Sequence, residues 1–127
     1  MKKFSFAVMG VALSGLLFIT GCSSSDIKIT LNDPKEDEVL TRGDDVHFDM
    51  DIESPNELKE YEIHIHGKMA GGWDFEEEYP LTGKNINVHH HDIIIPADAA
   101  VGKYDFEVKV KDVEGNEAKK KIHVSIQ

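Results

Sequence analysis

Apolar and polar residues take turns at intervals of two through most of the chain from Asp26 to Gln127. Val46, Phe48, Met50 and Ile52 alternate with His47, Asp49 and Asp51. Tyr104, Phe106, Val108 and Val110 alternate with Asp105, Glu107, Lys109 and Lys111, and Ile122, Val124 and Ile126 with Lys121, His123 and Ser125. Successive side chains of an extended strand point to opposite faces, so this pattern gives each strand one buried and one wetted face. Two antiparallel sheets packed together satisfy it. Further strands are expected over Ile27–Leu31, Leu58–His66, Trp73–Tyr79 and Ile86–Ile95, separated by turn signals such as Asn32-Asp33-Pro34, Ser54-Pro55-Asn56 and Gly115-Asn116. Val39-Leu40 offers a short extra pairing. The phase of Ile86–Ile95 stays open because His89-His90-His91 interrupts the alternation. No segment of the domain carries a long helical pattern. The expected class is all-β, an antiparallel sandwich of about seven strands over residues 27–127.

The first 21 residues do not follow this pattern. Met1-Lys2-Lys3 is positively charged, and Phe4 to Thr20 carries no charge and is rich in Phe, Val, Leu and Ile. A secretory signal has this form, although a stretch of 17 residues also sits at the lower edge of what spans a bilayer, roughly 17–25 residues. Ile19-Thr20-Gly21-Cys22 resembles the bacterial lipobox, and Cys22 is the one cysteine in the chain. That resemblance implies cleavage before Cys22, a lipid on its sulfur and an acylated amine. Two or more acyl chains anchor stably where one does so only marginally. Residues 1–21 are thus expected to be a signal peptide and residues 22–26 a lipidated polar tether. Ser23, in place of Asp, points to outer-membrane sorting in the same logic.

Charge narrows the partners. The chain holds 24 acidic against 14 basic residues, a net of −10, and loses Lys2 and Lys3 with the signal. Such a surface repels nucleic acid and anionic headgroups, attracts cations and keeps the domain soluble. With Cys22 lipidated no disulfide remains, so stability must come from the core.

Three segments carry a further resemblance: Arg42-Gly43-Asp44-Asp45-Val46-His47-Phe48; Tyr61-Glu62-Ile63-His64-Ile65-His66; and Ile95-Pro96 through Gly102-Lys103-Tyr104-Asp105-Phe106 to Asp112-Val113-Glu114-Gly115-Asn116. Together they resemble immunoglobulin-like, fibronectin-type domains of bacterial surface lipoproteins. Gly-x-Tyr-x-Phe followed by Asp-x-x-Gly-Asn is similar to the strand F to strand G hairpin of that superfamily. Almost the whole mature chain is covered. Within it the chain resembles a single-domain lipoprotein family of unknown function with histidines on strands B, C and E, which His47, His64 or His66, and His89–His91 fit. The resemblance implies an immunoglobulin-like sandwich and an envelope address, and no activity.

Seven histidines all lie in the mature domain. Neutral imidazole ligates zinc, copper and nickel. His64 and His66, two apart on a strand, share a face, as do His89 and His91. A chain reversal brings the start of the strand holding His47 to the end holding His66. The expectation is a divalent-metal site at one rim, drawn from His64, His66, His89, His91 and His47, with Asp92 as an oxygen ligand. Zinc is the first ion expected; copper is the second, because Met69 follows closely. Against a shared site, strands B and C of such a sandwich belong to different sheets, which separates His47 from His64. Solvated histidines with adventitious affinity, or a pH sensor, are the competing readings. His123 reads as a surface residue. Asp112 and the Trp73–Glu78 stretch lack the spacing of a calcium loop. No His-Glu-x-x-His, Gly-x-Ser-x-Gly or P-loop motif occurs in the domain, so no enzyme is expected. The alternative function is a non-metal envelope module that recognises a protein or glycan partner through Trp73 and Tyr79.

Overall fold

A computed structural model describes residues 26–127. The expected signal peptide, Cys22 and the tether as far as Ser25 lie outside the described residues. Eight strands follow in order: β1 (Lys28–Asp33), β2 (Glu38–Leu40), β3 (Asp45–Glu53), β4 (Leu58–Gly67), β5 (Asp74–Pro80), β6 (Asn85–Ile94), β7 (Gly102–Asp112) and β8 (Glu117–Ile126). They form two sheets, ordered β1-β3-β6 and β2-β8-β7-β4-β5. This all-β, two-sheet arrangement is consistent with an immunoglobulin-like sandwich. Among the described residues no helix is long and apolar enough to cross a membrane.

The alternating residues line the space between the sheets. Val46, Phe48, Met50 and Ile52 of β3 are buried, and face Ile63 and Ile65 of β4, Tyr104, Phe106, Val108 and Val110 of β7, and Ile122, Val124 and Ile126 of β8. Phe48 bridges the layers, its ring centroid 6.0 Å from Tyr61 and 6.1 Å from Phe106. Tyr104 is fully buried, and its hydroxyl donates to Ala100 O at 2.7 Å and accepts from Trp73 N at 3.1 Å. A tyrosine near the start of strand F bonded to backbone just upstream is a hallmark of immunoglobulin-like sandwiches.

Two local features depart from a plain antiparallel ladder. The first is β2, which pairs in parallel with the last strand, Glu38 opposite Val124 and Leu40 opposite Ile126. The chain leaves the three-stranded sheet after β1, turns through Asp37 at φ 64°, and joins the other sheet. Aspartate tolerates that left-handed conformation better than most residues. The second is a bulge in β6. Phe48 pairs with His90 while Val46 pairs with Ile93, so His91 and Asp92 together oppose His47. The extra residue reverses the strand's phase. Ile86, Val88 and His90 face inward before it, and Ile93 and Ile95 are buried after it. This resolves the phase that the histidine run obscured, and it leaves Ile94 58% exposed.

Candidate metal centre

The β4–β5 hairpin builds the centre. Its connection passes through Gly67 and Gly72, whose backbones approach so closely that a Cβ on Gly67 would lie 2.9 Å from Gly72 Cα. The tight turn sets Asp74 opposite His66 and Glu76 opposite His64. Because Tyr61, Ile63 and Ile65 are buried, the even-numbered residues of β4 stand on the outer face. There the Nε2–H of His64 donates to Asp74 Oδ1 at 2.9 Å, and the Nδ1–H of His66 donates to the same oxygen at 3.3 Å. The two rings lie 5.6 Å apart. One ligand atom from each of the three residues lies within 4.8 Å of the other two. A tetrahedral ion with ligands at about 2.0–2.2 Å separates them by roughly 3.3–3.6 Å. Small side-chain adjustments therefore close this group around an ion, and the cluster can coordinate a metal.

Its electrostatics suit a cation. The hydrogen bonds from His64 and His66 hold the Asp74 carboxyl below the usual aspartate range, so it is ionised at neutral pH. Beside His64, Glu62 and Glu76 form a hydrogen-bonded carboxyl pair. The bond to Glu76, helped by Lys109, holds Glu62 low, and the bond to Glu62 pushes Glu76 up. Side-chain exposures of 35% for His64, 60% for His66 and 58% for Asp74 leave room for water or another ligand. In this arrangement both imidazoles point N–H groups at the carboxylate. Binding an ion requires each ring to turn a bare nitrogen toward it, so the metal displaces the proton that now faces Asp74.

The expected shared rim is not formed. His47, His89 and His91 stand on the outer face of the three-stranded sheet, whereas His64 and His66 stand on the outer face of the five-stranded one. The core lies between them. Chain reversal does return β4 to the end where β3 begins, but the outward faces of two packed sheets point apart, as the counter-argument from strand assignment required. Asp92 is also drawn away from the expected ligand role, since its Oδ1 accepts from His90 Nδ1 at 2.8 Å. His90 points inward, and its Nε2 accepts the Tyr61 hydroxyl at 2.9 Å. The ring packs against Phe48 and Tyr79, at 5.0 and 5.1 Å.

Trp73 and Tyr79 are half-buried. The Trp73 ring packs near Phe75 and Tyr104, and Tyr79 stacks on Tyr61 at 4.7 Å. Burial, with nearby Glu77 and Asp92, pushes the Tyr79 hydroxyl up to about 12. Met69 packs against the core beside Gly67, Gly72 and Gly102, which accounts for its side chain as filling. His123 is a surface residue held between Glu36 at 3.1 Å and Asp105 at 3.5 Å. Both carboxylate oxygens of Asp112 are occupied by hydrogen-bond donors.

Asp74 is the candidate ligand that sequence reasoning missed. Its signal was the hairpin register: pairing the end of the fourth strand with the start of the fifth sets Asp74 against His66.

No curated protein matches the chain in sequence. A crystal structure of a Niemann-Pick type C2 protein from Japanese carpenter ant has a similar fold, with a TM-score of 0.52 and 16% identity over 81% of this chain and 90% of that one. At that identity the likeness concerns the fold alone. Residues 23–127 match the profile of a domain of unknown function, DUF4625, which spans the entire sandwich. The chain therefore belongs to the DUF4625 family, whose two-sheet fold here carries a histidine–aspartate cluster on one outer wall.

Proposed function

We infer that this protein is a divalent-metal-binding lipoprotein of the bacterial cell envelope, attached through a lipid on Cys22 and sorted to the outer membrane. Zinc is the first ion and copper the second. The reading is carried by one observation, the convergence of His64, His66 and Asp74 on the open face of β4 and β5. Two nitrogens and one carboxylate oxygen suit zinc, which takes four ligands of this kind and leaves a position here for water or a further donor. Copper(II) accepts the same donors and outranks zinc in intrinsic affinity, so envelope supply would decide between them. The acidic excess raises cation concentration near the wall. An accessible, pre-grouped site on a tethered domain suits capture or transfer of an ion better than a structural ion, which is normally enclosed by four protein ligands.

The test is a zinc titration of a soluble domain spanning Ser23–Gln127, followed by calorimetry. Joint replacement of His64 and His66 by Ala should remove one tight equivalent, and Asp74→Ala should weaken it at least tenfold. The tight equivalent should also weaken as the solution is acidified, because protons compete with the ion for the ligand atoms. Unchanged stoichiometry and affinity in both variants would defeat the reading.

A further inference from the structure

The opposite wall carries a looser form of the same pattern, its ligand atoms standing further apart than those of His64, His66 and Asp74. On the outer face of the three-stranded sheet His47 Nε2 lies 3.7 Å and His91 Nδ1 3.3 Å from one oxygen, Asp45 Oδ2. The two rings are 5.6 Å apart, the separation also found between His64 and His66. In each group one ring offers Nε2 and the other Nδ1 to a single carboxylate oxygen. The groups differ in origin. His64 and His66 are two apart on one strand, whereas His47 and His91 come from paired strands and meet because the β6 bulge sets His91 and Asp92 against His47.

We propose that His47, His91 and Asp45 form a second, independent divalent-metal site, with His89 within reach as a fourth ligand. The His89 ring lies 5.9 Å from that of His91. Its Nδ1 is 3.5 Å from Asp49 Oδ2, a contact weak enough to exchange for a metal bond. His47 and His91 side chains are 72% and 61% exposed, so rotamer changes occur mostly in solvent and cost little. A depression of about 270 Å³ opens beside the group, with Asp33, Glu38, Asp44, Asp45 and His47 in its lining. Its carboxylates add negative potential where an ion would enter, and its volume admits water to complete the coordination shell. The wider starting separation makes this the weaker of the two sites. Three imidazoles with one carboxylate nevertheless give it the larger ligand set, so His89 separates this site chemically from its counterpart.

Each site has its own variant, so the two readings can fail separately. The full chain in detergent is titrated with zinc alone, and the variants are His47→Ala/His91→Ala and His64→Ala/His66→Ala. Circular dichroism confirms that each variant remains folded. The expected result is two equivalents for the parent chain and one for each double variant, with His89→Ala weakening only the site retained in the His64→Ala/His66→Ala protein. One equivalent in the parent chain that survives His47→Ala/His91→Ala overturns the second site and leaves the first intact. One equivalent that survives only His64→Ala/His66→Ala does the reverse. Binding untouched by either double variant overturns both.

Discussion

Single side chains settle much of this domain's local geometry, and Asp112 is the clearest case. It is 1% exposed at the end of β7. Its Oδ1 accepts from Glu114 N at 2.9 Å and Asn116 N at 2.8 Å, and its Oδ2 accepts from the amides of Asn116 and Asn56. The Asp-x-x-Gly-Asn sequence thus reads as a turn in which one carboxylate satisfies backbone donors while Gly115 takes φ 92°. Burial alone would raise the Asp112 pKa, but the bonds from Asn116, Asn56 and Glu114 outweigh it and hold the carboxyl below its ordinary 3.8. A depressed native pKa stabilises the fold fully above the unfolded value, and that share disappears as pH falls through the lower native value. Asp112→Asn should therefore cost about 2–3 kcal/mol at pH 7. Urea denaturation should show the gap between parent and variant narrowing below pH 3.8. A gap that stays constant into acid would refute the assignment.

Among the elements, β6 shows how one extra residue decides what a strand displays. The run His89-His90-His91-Asp92 sends two histidines outward, one inward, and leaves Asp92 as a cap on the inward ring. Because the surplus residue sits between His90 and Ile93, deleting Asp92 lets Ile93 pair with Val46 in a regular ladder and keeps both faces unchanged. The Asp92 deletion should fold and lose only on the order of 1 kcal/mol with the His90 bond. Deleting Asn87, within the regular part, forces either Ile86 outward or the whole register to slip, and should abolish cooperative unfolding. Similar denaturation midpoints for the two deletions would disprove the bulge. The hairpin of β4 and β5 shows the same principle from the other side: no residue is surplus, and the register delivers Asp74 to the histidines.

For the whole molecule the proposed anchor and the fold act together. A sandwich with both outer walls wet can present ions on two sides, and under the proposed function a short tether would keep those walls near the membrane surface. Under the proposed function mass spectrometry of the parent chain should find a mature N-terminus at an acylated Cys22, and Cys22→Ser should abolish both the acylation and the cleavage without altering zinc binding. A parent chain that carries no acyl group and still begins at Met1 would make the h-region itself the anchor. Acidity has its role at this scale too, since 24 acidic residues against the 12 basic ones left without Lys2 and Lys3 draw cations toward either wall and disfavour contact with anionic lipid.

Much of the architecture was legible in one dimension. Alternation with a period of two assigned β1, β3, β4, β5, β7 and β8 and their inward faces, because burying one face of a strand leaves little choice of phase. The Gly-x-Tyr-x-Phe segment foretold the buried Tyr104. The small parallel partner β2 was visible only as a short pairing of unstated direction, since three residues carry too little pattern to orient a strand. The type of ligand was also evident from composition, but the partition of the ligands was not. Whether His64 meets His91 or Asp74 depends on sheet membership, register and a bulge, all of which are relations between distant segments. Local sequence sets which side of its own strand a residue takes. Which neighbours wait on that side is decided when hydrophobic burial stacks the two sheets, and that turned one expected rim into two separate walls.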